Sequence, residues 1–146
     1  MEFKDAFIKA VLEVFTLYSI RGEYVKTVEE NLLTTNDINV MISFGQSPKG
    51  KAIFGFTRNR ALKIASAMLG QEVEVIDAAV KNVISEFITF VTSLAIGKTA
   101  VIGSMYFSAP IIVTGNNVFL IVSRQKSSQL VFQIQDDEMY LTYCLE

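Results

Sequence analysis

The stretch "IDAAVKNVISEFITFVTS", residues 76–93, decides how this chain is read. Ile76, Val80, Val83, Phe87, Phe90 and Val91, with Leu94 just beyond, recur in steps of three and four, the spacing of one face of an α-helix. The pattern predicts a long helix from about Asp77 to about Gly97. At about 100° per residue, Asn82, Glu86, Thr89 and Ser93 fall within a sector of about 60° on another side of that helix. An otherwise apolar helix therefore carries one narrow polar row.

Two readings of the row stand side by side. It is the solvent edge of an amphipathic helix. Or it is a short, rigid row that enters another protein's active site, where a carboxylate pairs with a cation and a neighbour one turn on orients a water. The row has no base beside it in sequence, so it does not by itself support classical nucleophilic catalysis.

Outward from this helix, Phe3, Phe7, Val11, Val14 and Tyr18 mark a first helix, widened by Ile8, Leu12 and Phe15 and expected to end near Gly22. Residues 23–36 are mixed and polar, a short strand and loop. "NVMISFG" (39–45) and "KAIFGFT" (51–57) read as strands joined by the turn residues of "GQSPKG", hence a hairpin. "RNRALKIASAMLG" (58–70) puts Ala61, Ile64, Ala65, Met68 and Leu69 on one helical face, with Gly70 at the usual stop. After Gly97 the period becomes strand-like in "YFSAPIIVTG", "NVFLIVSR", "QLVFQIQ" and "MYLTYCLE", with turn signals at "GNN", "KSS" and "DDE". The expectation is one α+β domain over 1–146, with long helices packed on a largely antiparallel sheet. Helix–strand–strand occurs twice, at 3–57 and 77–123, which suggests a loose internal duplication.

Composition narrows the chemistry. The 146 residues suit one domain that needs no disulfide or metal staple. Hydrophobic content is 51%, which favours burying surface against a partner as well as in a core. Net charge is −2 with scattered basic residues, giving no electrostatic footprint for nucleic acid. Histidine is absent, which excludes Ser-His-Asp and Cys-His catalysis and the usual zinc sites. Cys144 is the single cysteine, so no intrachain disulfide forms and a reducing compartment is expected. The N-terminus is amphipathic and contains acids, unlike a signal peptide. No uninterrupted apolar run approaches the roughly 18 residues of a membrane span. A cytoplasmic location is expected.

"GQSPKGKA" (45–52) nearly matches a phosphate-binding loop, with Gly45, Gly50 and Lys51 in place. Ala52 offers no hydroxyl to magnesium, and a strand follows where that motif needs a helix, so a hairpin turn is the better reading. Lys98, at the end of the long helix, complements the negative helix terminus. Glu13 and Thr16 echo the Glu-x-x-Thr spacing of Glu86 and Thr89, either as a second, pseudo-symmetric row or as the exposed edge of the first helix.

The run "ALKIASAMLG", an acidic connector, "IDAAVKNVISEFITFVTS" and later "SAPIIVTG" resemble the CheX branch of the CheC/CheX chemotaxis phosphatases. "FIKAVLEVF" and "MISFGQSPKGKAIFGFT" fit as well, and the resemblance keeps its segment order over nearly the whole chain. It implies an α+β fold, a homodimer, and dephosphorylation of a CheY-type receiver domain whose aspartyl phosphate is accompanied by a magnesium ion. No cofactor is implied for this chain itself; Mg²⁺ belongs to the receiver. The family signature has an Asp or Ser, then three residues, Glu, two residues, Asn, and later a proline. Here those positions are Asn82, Glu86, Thr89 and Pro110. The resemblance gives Glu86 the role of pairing with the receiver's lysine and Thr89 that of holding the attacking water. Asn82, Ser93 and Pro110 would join Glu86 in contacting the partner. The chain departs from the signature at Asn82, at Thr89, which replaces the catalytic Asn, and at Ser93, which replaces a frequent glycine. Thr89 has no amide and could bond back to the Ser85 carbonyl, so a non-catalytic receiver-binding or dimerisation module is the alternative to an aspartyl-phosphate phosphatase.

Overall fold

A computed structural model of the chain describes residues 1–30, 33–34, 36–45, 49–99, 106–115, 120–121 and 127–145. Its elements are α1 (Phe3–Leu17), β1 (Gly22–Glu30), β2 (Leu33–Thr34), β3 (Ile38–Gly45), β4 (Gly50–Phe56), α2 (Arg58–Leu69), α3 (Ala78–Lys98), β5 (Tyr106–Phe107), β6 (Ile111–Thr114), β7 (Leu120–Ile121), β8 (Ser127–Ile134) and β9 (Asp137–Leu145). The mixed helix and antiparallel-sheet architecture expected from the sequence is present.

The helices start and stop for local reasons. Thr57 caps α2 by accepting from the Arg60 N–H at 3.1 Å, and Asp77 caps α3 by accepting from the Val80 N–H at 2.9 Å. Gly70 ends α2 in the left-handed conformation, φ 68°. α1 stops well before Gly22. Ser19 turns left-handed at φ 57°, and the Ile20 and Ser19 N–H groups bond back to the Phe15 and Thr16 carbonyls at 2.8 and 3.1 Å. Those two bonds satisfy the helix end without glycine. Gly22 serves packing instead, because a Cβ there would lie 2.7 Å from the Phe15 ring. The freed segment forms β1, a nine-residue edge strand rather than the short strand and loop expected, because its backbone finds β8 as a partner.

Among the described residues seven strands form one sheet in the order β1-β8-β9-β4-β3-β5, with β6 also paired to β3, and every pairing in it is antiparallel. The β3–β4 hairpin runs in register from Ile38↔Phe56 to Phe44↔Gly50, as the sequence predicts; residues 46–48 of its turn lie outside the described residues. Residues 50–56 are strand, not helix, so the geometry of a phosphate-binding loop is absent. A Cβ at Gly50 would sit 2.1 Å from the Cys144 carbonyl oxygen, so this glycine answers a close strand approach.

The duplication is visible in the topology, with different bounds. Hairpins β3–β4 and β8–β9 meet along β4–β9. Each accepts an edge strand from the other half: β1 on β8, and β6 on β3. β2 pairs with β7 across the same relation. The copies are therefore α1 through β4 and α3 through β9, with α2 between them. The second extends to Leu145 rather than ending at residue 123, and "KSS" does not make the expected turn in full, because Ser127 and Ser128 open β8.

The core lies between the sheet and the helices. Val40, Ile42, Phe54, Phe56, Leu130, Phe132 and Leu141 from the strands join Phe7, Val11, Phe15, Ile84, Phe87, Ile88 and Val91 in one buried cluster. Burying each such side chain contributes about 1.5–3 kcal/mol. On the opposite sheet face Ile53 and Cys144 are buried with Met41 against them, so the single thiol is a packing group.

Candidate functional site

α3 presents two chemically different sides. Val80, Val83, Ile84, Phe87, Ile88, Val91, Thr92 and Ala95 are buried. Phe87 stacks on Phe15 with centroids 6.0 Å apart and planes at 16°, and meets Phe56 edge-on at 6.4 Å. The Thr92 hydroxyl, inside the core, is satisfied by the Ile88 carbonyl at 2.8 Å. This packing fixes the rotation of the helix. Whatever lies opposite is held on a rigid support.

Opposite lies an open depression of about 510 Å³ lined by Asn82, Ser85, Glu86, Thr89, Phe90 and Ser93. All four residues of the polar row are in it. Asn82, Glu86 and Ser93 are exposed, and Thr89 is half-buried. Among the described residues the Thr89 hydroxyl makes no bond to the Ser85 carbonyl; the back-bonded threonines are Thr16, to Leu12 at 3.0 Å, Thr92, to Ile88, and Thr99, to Ile96 at 2.8 Å. Thr89 is thus able to offer its hydroxyl to a water or partner. Among the described residues Glu86 has no ion-pair partner. Pro110, half-buried, precedes β6 and lies outside the lining of the depression.

Two site residues are not in the polar row read from sequence. Ser85 lines the depression from one edge. Phe90 was expected on the buried stripe, yet it is 42% exposed and lines the depression from the other edge. On a helical projection Phe90 lies only about 40° from Glu86, at the margin of the apolar sector, and that angle is the signal that marks it. Ile76 also leaves the stripe, because α3 begins after it at Ala78.

The echo in α1 has its own small depression, lined by Lys9, Leu12, Glu13 and Thr16. Its chemistry is committed internally. Glu13 accepts a charged hydrogen bond from Lys98 at 2.8 Å, and Thr16 is back-bonded. Lys98 therefore has a side-chain partner in α1 besides its place at a helix terminus.

A larger cavity, about 630 Å³, lies beside α2 and is lined in part by Arg60, Lys63, Ser19 and Gln135. Arg60 is 2% exposed, and its Nη2 donates to the Ile134 carbonyl at 2.7 Å. Burial lowers its pKa, opposed by the charges of Asp137 and Asp136. Its Nε is buried without a partner among the described residues, so this guanidinium presents little surface to a ligand and acts chiefly as a tie between α2 and β8. In the same helix Leu69, expected on the inner face, is 40% exposed while Arg60 takes a buried place. α3 is long and apolar enough by length and composition to pass for a membrane span, but its packed face belongs to the domain core.

Comparison with known families and structures bears on the family and the fold. The family model described as chemotaxis phosphatase CheX matches residues 38–135. A chemotaxis protein CheX from Desulfovibrio desulfuricans superposes with a TM-score of 0.88 at 19% identity, covering 100% of both chains. A CheC-like superfamily protein from Shewanella sp. PV-4 superposes at 0.84 with 24% identity, over 100% of this chain and 99% of the other. A chain of the CheX–CheY–BeF₃–Mg²⁺ complex from Borrelia burgdorferi superposes with a TM-score of 0.76 at 16% identity, over 99% of this chain and 98% of the other. Comparison with curated proteins gives no match.

Proposed function

The chain belongs to the CheX chemotaxis phosphatase family, and from that premise we propose that it acts on a phosphorylated response-regulator receiver domain of CheY type in chemotaxis or two-component signalling. The observation that carries this reading is the row itself. Glu86 and Thr89 stand one turn apart in one open depression, on a helix whose other side is locked into the core.

In this reading Glu86 pairs with the receiver's lysine and sets the docking register. The Thr89 hydroxyl then accepts a hydrogen bond from a water aligned behind the aspartyl phosphate. The water oxygen attacks phosphorus, the bond from phosphorus to the aspartyl oxygen breaks, and inorganic phosphate leaves with the receiver's carboxylate restored. Magnesium is the receiver's own, as in the Borrelia complex, which contains Mg²⁺ with CheY. Asn82 and Ser93 contact the receiver from the ends of the row, and Pro110 from outside the depression. The protein works as one CheX-like domain, as a homodimer, in the cytoplasm. Sedimentation equilibrium tests the dimer.

The test of the main reading is phosphate release from a phosphorylated receiver with and without the protein. Glu86→Ala should abolish most of the acceleration. If a real acceleration survives that change intact, the docking role is wrong.

A second reading rests on Thr89. Its side chain is shorter than asparagine, has no amide, and is stiff at χ1. A chain that binds the receiver and accelerates nothing is then a non-catalytic module on the same surface.

A further inference from the structure

Phe90 has no place in the family signature, and its position conflicts with simple burial. It lies on the core helix, three residues after a fully buried Phe87, yet its ring is 42% exposed and lines the depression beside Glu86 and Thr89. At 42% exposure this phenylalanine, set amid serine, asparagine and glutamate, leaves a large part of its apolar surface in water and gives folding less than a buried one would. Any body that seats on Glu86 and Thr89 must cover it. Aromatic rings at the centre of an interface, ringed by polar groups that exclude water, are where binding energy concentrates.

The geometry points to Phe90 as the apolar anchor that holds a receiver domain on this helix, with Glu86 setting register and Thr89 facing the reaction. The inference rests on the receiver reading above. Continuity selects the occupant: the ring shares one depression with the docking carboxylate, so the body that takes Glu86 takes the ring. The partner surface it requires is an apolar patch within a side chain's length of the receiver's lysine. The echo in α1 has a matching order in sequence, since Leu17, next to Thr16, is 61% exposed, but Leu17 does not line the α1 depression and Glu13 is already held by Lys98.

The experiment is a titration of the full chain against a cognate receiver activated with beryllofluoride and Mg²⁺, for wild type, Phe90→Ala, Phe90→Leu and Glu86→Ala. Phe90→Ala should weaken binding at least about tenfold, the scale of an interface hot spot. Phe90→Leu should stay within about threefold of wild type. Where wild type turns over, the loss appears in KM rather than kcat, since the ring does not touch the water. Phe90→Ala should remain fully folded at the temperature of the titration, as thermal unfolding checks. The inference is overturned if Phe90→Ala binds within twofold of wild type while Glu86→Ala is weak, a result that leaves the receiver reading standing. A lowered unfolding temperature that accounts for the lost binding overturns it as well. So does a shift in the monomer–dimer equilibrium with receiver affinity unchanged, which assigns the ring to a second copy. If wild type binds none of its organism's receivers, the receiver reading falls and this inference with it.

Discussion

Lys98 Nζ lies 2.8 Å from Glu13 Oε1 and joins the end of α3 to α1. The two helices carry the same Glu-x-x-Thr spacing, and this ion pair makes them unlike. Glu13 is spoken for; Glu86 stands in the open depression.

Glu13→Ala should therefore leave receiver binding and phosphate release within about twofold of wild type, where Glu86→Ala loses them. The pair is partly exposed, at 26% and 52%, so its loss should cost no more than about 1 kcal/mol. Parallel assays of the two alanine variants check both statements.

Thr89→Asn supplies a longer side chain with an amide at the position proposed to face the water. Phosphate release should rise by at least about tenfold, given that a misplacement of about 1 Å costs on the order of 10²-fold. Single-turnover measurement at saturating receiver reads this directly. A rate equal to that of wild type would show that Thr89 does not limit the chemistry.

Phe87 and Phe90 should behave as opposites in chemical denaturation. Phe87 is fully buried against Phe15 and Phe56, so Phe87→Ala should cost about 3–5 kcal/mol. Phe90→Ala, with 42% of the residue already exposed, should cost only about 1 kcal/mol.

Arg60 gives a test of the α2–β8 tie. Arg60→Ala removes the donor to the Ile134 carbonyl and should cost about 1–3 kcal/mol. Arg60→Met keeps much of the volume and deletes a buried charge, and should cost less than the alanine change. Urea midpoints of the two variants decide the order.

Tyr140 makes stability sensitive to alkaline pH. Burial, a hydrogen bond to Glu138, and the charges of Glu138 and Asp137 push its pKa up to about 12 from the usual 10. The folded state thus favours the protonated phenol. Its contribution is complete below about pH 10 and is lost as pH rises from about 10 through 12, an effect on the order of 2 kcal/mol. Tyr140→Phe should flatten that part of the stability curve, read as unfolding free energy between pH 9 and 12.

Much of the fold follows from periodicity. α3 was legible from Val80, Val83 and Phe87, and the β3–β4 hairpin from two alternating runs around glycines and a proline. Boundaries were less so. The end of α1 depends on Ser19 adopting a left-handed conformation, which nothing in its residue type demands. β1 reads as polar because it is an edge strand, and its partner, β8, lies about a hundred residues away.

The polar row was equally legible, because Asn82, Glu86, Thr89 and Ser93 sit on one helix and local geometry places them together. What sequence alone determined is therefore whatever depends on near neighbours: the helices, the hairpin, the row and the absence of histidine chemistry. The tertiary structure decided the rest. The exchange of edge strands between the halves, the capture of Glu13 by Lys98 and the exposure of Phe90 each depend on where distant segments come to lie. A helical wheel gives the angle of a side chain but not what occupies the space in front of it. That space turns one Glu-x-x-Thr into a tied surface and leaves the other open.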